Sequence, residues 1–177
     1  CAVKRRAGKI PVGIQVLFQA NRAALAVAVA AKCDFVRAEG WTYAHVSDKG
    51  FADASAGRVV RYRKVIGGSR IPIFADIRKK HAAHALTGDL TIGEIAAGME
   101  LHLADAIVVT GSATGVSPNI DSLKEVREAT GLPLIVGSGI TAENVGLFYD
   151  HADGFIVGSS LKENNVWHGP VSDERTQ

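Results

Sequence analysis

Apolar residues in this chain gather in short runs, separated by longer stretches whose apolar positions recur every three or four residues. The runs cover residues 12–17, 35–38, 71–75, 106–109, 134–136 and 155–157. They are rich in Val and Ile and do not alternate with polar positions, as expected of strands covered on both faces of a parallel sheet. Helical patterns lie between them. Residues 21–32 are alanine-rich and strong helix formers. Residues 57–66 set Arg58, Arg61, Arg63 and Lys64 around Val59, Val60, Tyr62 and Val65. Thr91 with Glu94 three residues on is a capping-box signature ahead of a helix over 95–103. Ser117-Pro118 opens a helix over 119–130 that Gly131 stops, and Thr141 opens another over 142–151. Strands that each lead into a helix or loop make repeated βα units, hence an α/β fold.

An internal echo narrows the choice. Cys33-Asp34-Phe35-Val36, Ala104-Asp105-Ala106-Ile107 and Ala152-Asp153-Gly154-Phe155 share one pattern, in which a helix ends, an aspartate follows a small residue, and a buried strand begins. An aspartate serving backbone amides in a short αβ turn explains it. Equivalent units favour a parallel (β/α)8 barrel of the TIM type, in one domain over residues 1–177. Such a barrel needs eight strands and typically ~250 residues. Six strands in 177 residues lead to the expectation of an incomplete barrel, with edge strands and part of its interior uncovered.

Composition changes this picture little. Hydrophobic residues at 47% and charged residues at 21% exclude a disordered or collagen-like chain. Twenty basic against eighteen acidic residues, net +2, do not announce a nucleic-acid partner. The arginine-rich 57–66 stretch has one interleaved aromatic, Tyr62, and reads as a solvated helix face. Two cysteines, Cys1 and Cys33, make no disulfide framework or zinc site and suit a reducing, intracellular compartment, cytoplasmic or organellar. The longest apolar run, over 23–31, is too short to span a bilayer.

Ligand sites of parallel sheets sit at the C-terminal ends of strands, so the residues there are the candidates. Val136-Gly137-Ser138-Gly139 follows one strand, and Val157-Gly158-Ser159-Ser160 follows the next. Glycines admit an anion to the backbone, and a following helix start supplies amides. Gly137, Ser138, Gly139, Gly158 and Ser159 are therefore the expected phosphate holders. Asp76-Ile77-Arg78-Lys79-Lys80-His81 ends an earlier strand, where Asp76, Lys80 and His81 suit proton transfer or carbonyl chemistry. His81 and His84 lack the partners that would complete a metal site. Glu39 and the long polar loop holding His45 and Asp48 are candidates for orienting substrate. Thr110, in the hydroxyl-rich stretch to Gly115, and Gln15, polar within an apolar run, join them. No cofactor or metal is called for.

Several of these segments, in this order, resemble the BtpA family: Pro11-Val12-Gly13-Ile14-Gln15-Val16-Leu17, Asp76-Ile77-Arg78-Lys79-Lys80-His81-Ala82, Ala106-Ile107-Val108-Val109-Thr110-Gly111, Val136-Gly137-Ser138-Gly139 and Pro170-Val171-Ser172-Asp173-Glu174-Arg175. The resemblance implies a (β/α)8 barrel of the phosphate-binding group. It also implies about two βα units ahead of Pro11 and a final helix after Arg175. Members of that family are named for photosystem I biogenesis, or as nucleosidases and sugar-phosphate enzymes. The expectation is an enzyme acting on a small phosphorylated or ribosylated metabolite. The alternative is a non-catalytic assembly factor for a membrane complex, in peripheral contact with the membrane. A homo-oligomer is compatible with either. This chain departs from the family pattern at Glu39, where Asn is usual, and at Asp48-Lys49, where Asp-Gln is usual.

Overall fold

The computed structural model describes residues 2–111 and 115–176. The expected hydroxyl-rich stretch at 112–114 lies outside them. In chain order the main elements are α1 (Ala2–Ala7), β1 (Gly13–Ile14), α2 (Asn21–Ala31), β2 (Phe35–Ala38), β3 (His45–Ser47), β4 (Gly50–Ala52), α3 (Ala56–Val65), β5 (Ile73–Ile77), β6 (Ala82–Ala83), α4 (Ile92–Leu101), β7 (Ala106–Thr110), α5 (Ile120–Ala129), β8 (Leu134–Gly137) and β9 (Gly154–Ile156).

Six strands form one parallel sheet in the order β1-β2-β5-β7-β8-β9. Every crossover steps to the next position in the same direction. A doubly wound sheet would reverse its order at a switch point. This sheet never does, so its crossovers stack on one side and the right-handed twist curls it into a half-barrel of the (β/α)8 type.

The alternation of side chains separates two faces. On one, Val36, Ala38, Ile73, Ala75, Ile77, Ile107, Val109, Leu134 and Val136 are buried against Leu25, Val59, Ile95, Met99, Leu123 and Val126 of the helices. Alanines at 24 and 28 let α2 lie close to the strands, and both are fully buried. The other face is concave. Register pairs Arg37 with Phe74, Asp76 with Val108 and Thr110 with Gly137, which puts these residues on that face. Phe35 and Phe74 stack there at 4.7 Å between ring centres.

The echoed aspartates act at the N-terminal ends of the strands. The amide of Asp34 donates to the carbonyl of Val12 and its carboxylate accepts from the Val12 amide, at 2.8 and 2.6 Å. Asp105 does the same with Ile73, at 2.9 and 2.8 Å, and Asp153 with Leu134, at 2.8 and 2.7 Å. Each carboxylate also meets a cation from a preceding helix or its end: Lys4, Arg63 and Arg127 respectively. The amide served belongs to the neighbouring strand rather than to the turn itself.

Two local expectations change. The polar loop after β2 is a hairpin, β3-β4, turning at Asp48-Lys49, and β6 adds a third antiparallel strand. The helix expected over 142–151 is a 3-10 segment, Val145–His151. Asn144 explains its late start, since that side chain is engaged by the Thr141 amide and the Gly139 carbonyl at 2.9 and 2.7 Å. The basic N-terminal stretch forms α1, whose Lys4 reaches Asp34. The capping box stands as expected, with Thr91 and Glu94 serving each other's backbone amides.

Candidate functional site

The C-terminal ends of β1, β2 and β5 surround a cavity of about 280 Å³ lined by Gln15, Arg37, Glu39, Asp48, Asp76 and Lys80, among others. Charged residues inside the sheet build it. Arg37, in the middle of β2, points across to β5 and grips Asp76 with two hydrogen bonds, Nε to Oδ1 at 2.7 Å and Nη2 to Oδ2 at 3.1 Å. The Asp76 side chain is 4% exposed. Burial is the largest influence on its carboxyl and pushes it above the usual carboxylate range, against the pull of Arg37.

Glu39 forms a second charged group at the end of β2. Its Oε1 accepts from Gln15 at 3.1 Å, and its Oε2 lies 3.1 Å from the Lys79 ammonium. Asn21, buried at the start of α2, fixes the backbone there: its amide nitrogen donates to the Glu39 carbonyl at 2.7 Å, and its oxygen accepts from the Glu39 amide at 3.3 Å.

The segment after β5 is held in an unusual backbone shape. Arg78 and His81 both have positive φ, 42° and 58°, a region that costs non-glycine residues energy and that clusters at functional sites. Lys79 and Lys80 between them are thereby aimed in two directions: Lys79 to Glu39, and Lys80 to the Ser138 hydroxyl at 2.9 Å. Burial and the nearby Arg37 charge hold the Lys80 ammonium below the usual lysine range, while Asp76 pulls it back up. A lysine so placed gives up its proton more readily than a solvated one.

The small sheet flanks this region. Its residue His45 is buried, with the His84 ring 5.2 Å away. The His45 Nε2, Trp41 Nε1 and Thr42 Oγ1 atoms are buried without a hydrogen-bond partner among the described residues. Thr110, at the end of β7, buries its hydroxyl in the same condition.

Asp76, Lys80, His81, Glu39, Asp48 and Gln15 therefore line one cavity, as their positions in sequence suggested. Thr110 lines a neighbouring one together with Lys80 and His81. The two Val-Gly-Ser turns have different surroundings. Ser138 meets Lys80, and a Cβ at Gly139 would stand 2.5 Å from the Ser117 amide, so that glycine allows close packing of the 115–117 turn. Beyond Gly158 and Ser159, the Ser160 hydroxyl donates to the Ile140 carbonyl at 3.0 Å. The turn at Ser159–Leu161 is a three-residue 3-10 segment. Arg37, Lys79 and Asn21 were not singled out in the sequence. Arg37 carried a usable signal, since a charge inside an apolar strand stands out as Gln15 does.

Comparison with known proteins agrees with the architecture. A mitochondrial protein of Caenorhabditis elegans is 44% identical over 163 residues, 92% of this chain and 58% of that protein. The photosystem I biogenesis protein BtpA of Synechocystis is 36% identical over 164 residues, 92% of this chain and 55% of that protein. The chain thus spans a little over half the length of these relatives. A FabK mutant from Thermotoga maritima superposes with a TM-score of 0.56 at 14% identity, over 90% of this chain and 46% of that one. Morphinone reductase superposes at 0.50 and 13% identity, over 78% of this chain and 43% of that one. The BtpA family matches residues 1–177. With that match over the whole sequence, the chain belongs to the BtpA family.

Proposed function

We propose that this chain carries the reacting centre of an enzyme that acts on a small phosphorylated or ribosylated metabolite. The observation that carries the reading is the Arg37–Asp76 pair beside Lys80 and Ser138, at the strand ends where barrels of this type place chemistry. Asp76, Lys80 and His81 serve proton transfer. Lys80 is the group that moves the proton, because its ammonium is already disfavoured and its Nζ is held by a hydroxyl. Asp76, gripped at both oxygens, sets the charge against which Lys80 titrates. Glu39, Asp48 and Thr110 orient the polar part of the substrate. The Gly137–Gly139 and Gly158–Ser159 turns are the sequence's candidates for its anion.

The test is a thermal-shift screen of the 177-residue chain against sugar phosphates, nucleosides and nucleoside phosphates. A true ligand at about 100 times its dissociation constant adds ~2.7 kcal/mol, a rise of several degrees. Turnover of the ligand found should fall at least 100-fold in Asp76→Asn and Lys80→Met. If no compound in these classes raises the melting temperature, the reading is wrong.

A second reading takes its support from the name of the Synechocystis relative: an assembly factor for a membrane complex. Among the described residues no helix is long and apolar enough to cross a membrane, so its contact with one would be peripheral. Complementation that survives Asp76→Asn would favour this reading over the enzyme.

A further inference from the structure

Beside the mouth lies a second cavity of about 430 Å³, between the segment after β5 and the start of α5. Its polar lining is of one kind. Arg78, Lys80, His81 and His84 come from one wall, and Thr110, Ser117, Asn119 and Ser122 from the other. No Asp or Glu is among the described lining residues. The mouth, by contrast, sets Glu39, Asp48 and Asp76 among Arg37, Lys49, Lys79 and Lys80, so charges of both signs meet there. Lys79, Lys80 and His81 line both cavities and form the partition between them.

From this division we infer that the basic cavity is the subsite for the anionic group of the substrate, a phosphate monoester, and that the uncharged polar part reaches past Lys80 into the mouth, where carboxylates are present and paired with cations. The inference rests on the mouth being the reacting centre and adds where the charge of the substrate sits.

Three further features agree. The carboxylates nearest the partition are engaged on its other side, Glu39 with Lys79 and Asp76 with Arg37. Glu125 acts on Arg78 from outside the cavity while accepting from the Gly93 amide. Among the described residues no carboxylate is hydrogen-bonded to the Lys80 Nζ, which donates instead to neutral Ser138. Second, the Thr110 hydroxyl is a buried polar atom on the cavity wall with no hydrogen-bond partner among the described residues. Such a group costs free energy unless something accepts or donates to it. Third, α5 is ten residues long and begins at this wall, its first turn capped by Asn119, so its positive end adds to the field. Gly111 shapes the wall: a Cβ there would lie 1.9 Å from the Val116 carbonyl oxygen, so glycine lets the 115–117 turn fold down onto the end of β7.

A phosphate placed there takes charge-assisted bonds from Lys80 and neutral ones from the hydroxyls. Binding it would also lower the local field that disfavours the Lys80 ammonium, which couples substrate binding to the protonation of the proposed proton carrier.

The experiment is a titration of the labelled 177-residue chain by amide NMR with inorganic phosphate, ribose 5-phosphate and ribose. Two variants accompany it. Ser122→Asp puts a carboxylate in the basic cavity at the third residue of α5, where an acid suits the helix start. Ser159→Asp puts the same charge at the end of the last strand. The expected result is saturable binding of phosphate and ribose 5-phosphate, with shifts at Gly111, Ser117 and Ser122. Affinity should fall at least tenfold in Ser122→Asp, and more steeply in Lys80→Met for the ester. Binding that survives Ser122→Asp and is lost in Ser159→Asp overturns the placement while leaving the proposed activity standing. Binding of ribose with no binding of either phosphate also overturns it, and leaves a reacting centre for an uncharged substrate. If none of the three binds, the placement and the activity on ribose-type metabolites fall together.

Discussion

The two ends of the parallel sheet use the same residue type in opposite ways. At the N-terminal ends, Asp34, Asp105 and Asp153 each accept from a strand amide and one cation, and they lie at the surface. Lys4 and Arg127, each with a strand amide, hold Asp34 and Asp153 below the usual carboxylate range. At the C-terminal ends, Asp76 is buried and its carboxyl is pushed up. Charges that meet partners in water's reach fasten one strand to the next. Charges taken out of water, beside a strained backbone and orphaned polar atoms, make a surface that gains from a ligand. Barrels of this type place stability at the lower end and chemistry at the upper, and the proposed function assigns the two ends of this sheet in the same way.

Arg37→Met tests that contrast most severely. It leaves the Asp76 carboxyl buried without its cation, and breaking a buried pair from one side costs about 3–5 kcal/mol. Urea denaturation followed by circular dichroism measures it. A loss below about 1 kcal/mol would mean that Asp76 is not held as an ion and that the two ends are built alike.

Asp153→Ala is the matching change below. The side chain is half exposed, so its ion pair with Arg127 is screened and contributes little. The bond to the amide of buried Leu134 is what is lost, and about 1 kcal/mol is expected. Ligand affinity at the mouth should not change. A tenfold loss of affinity in this variant would break the separation of the two ends.

The smallest effect is in pH. Burial, then the neighbouring His84, hold the His45 imidazole below the usual histidine range, with Lys79 acting in the same sense and Glu39 against it. A base with lowered proton affinity in the folded protein adds stability above its unfolded value, about pH 6.5, and that stability is lost as pH falls through the folded value. The depressed carboxylates below act later. Their stability is present above about pH 3.9 and goes as pH falls through their folded values. Melting temperature should therefore decline in two steps on acidification. His45→Gln should flatten the first step, between about pH 7 and pH 5, and leave the second. A first step of undiminished size in that variant would remove His45 from the explanation.

Much of the architecture was readable from residues because it depends on local burial and turn chemistry. The six apolar runs and the Thr91–Glu94 capping box depend on near neighbours, and they stand where they were expected. The echoed aspartates were visible as a motif, yet their partners were not. Val12 immediately precedes β1, Ile73 and Leu134 open β5 and β8, and register alone brings them into reach. The small antiparallel sheet escaped for a similar reason. Two-residue β6 has no periodicity of its own and exists only because β3 passes beside it. The segment ending at His151 looked helical by composition, but Asn144 engages the local backbone and delays the turn.

For the site, strand-end position was enough to nominate Asp76, Lys80, Glu39 and Thr110, because a parallel sheet puts all such ends on one side. What sequence by itself determined was therefore the order of βα units and the set of polar groups delivered to that side. Only the tertiary structure decided which charges neutralise each other: Arg37 with Asp76, and Lys79 with Glu39, both pairs formed across strands or loops more than thirty residues apart. Those pairings leave one cavity with charges of both signs and the other lined by cations and neutral polar groups. Their physical reason is that burial makes each charge seek the nearest opposite one, and nearness across a sheet is a property of register, not of spacing along the chain.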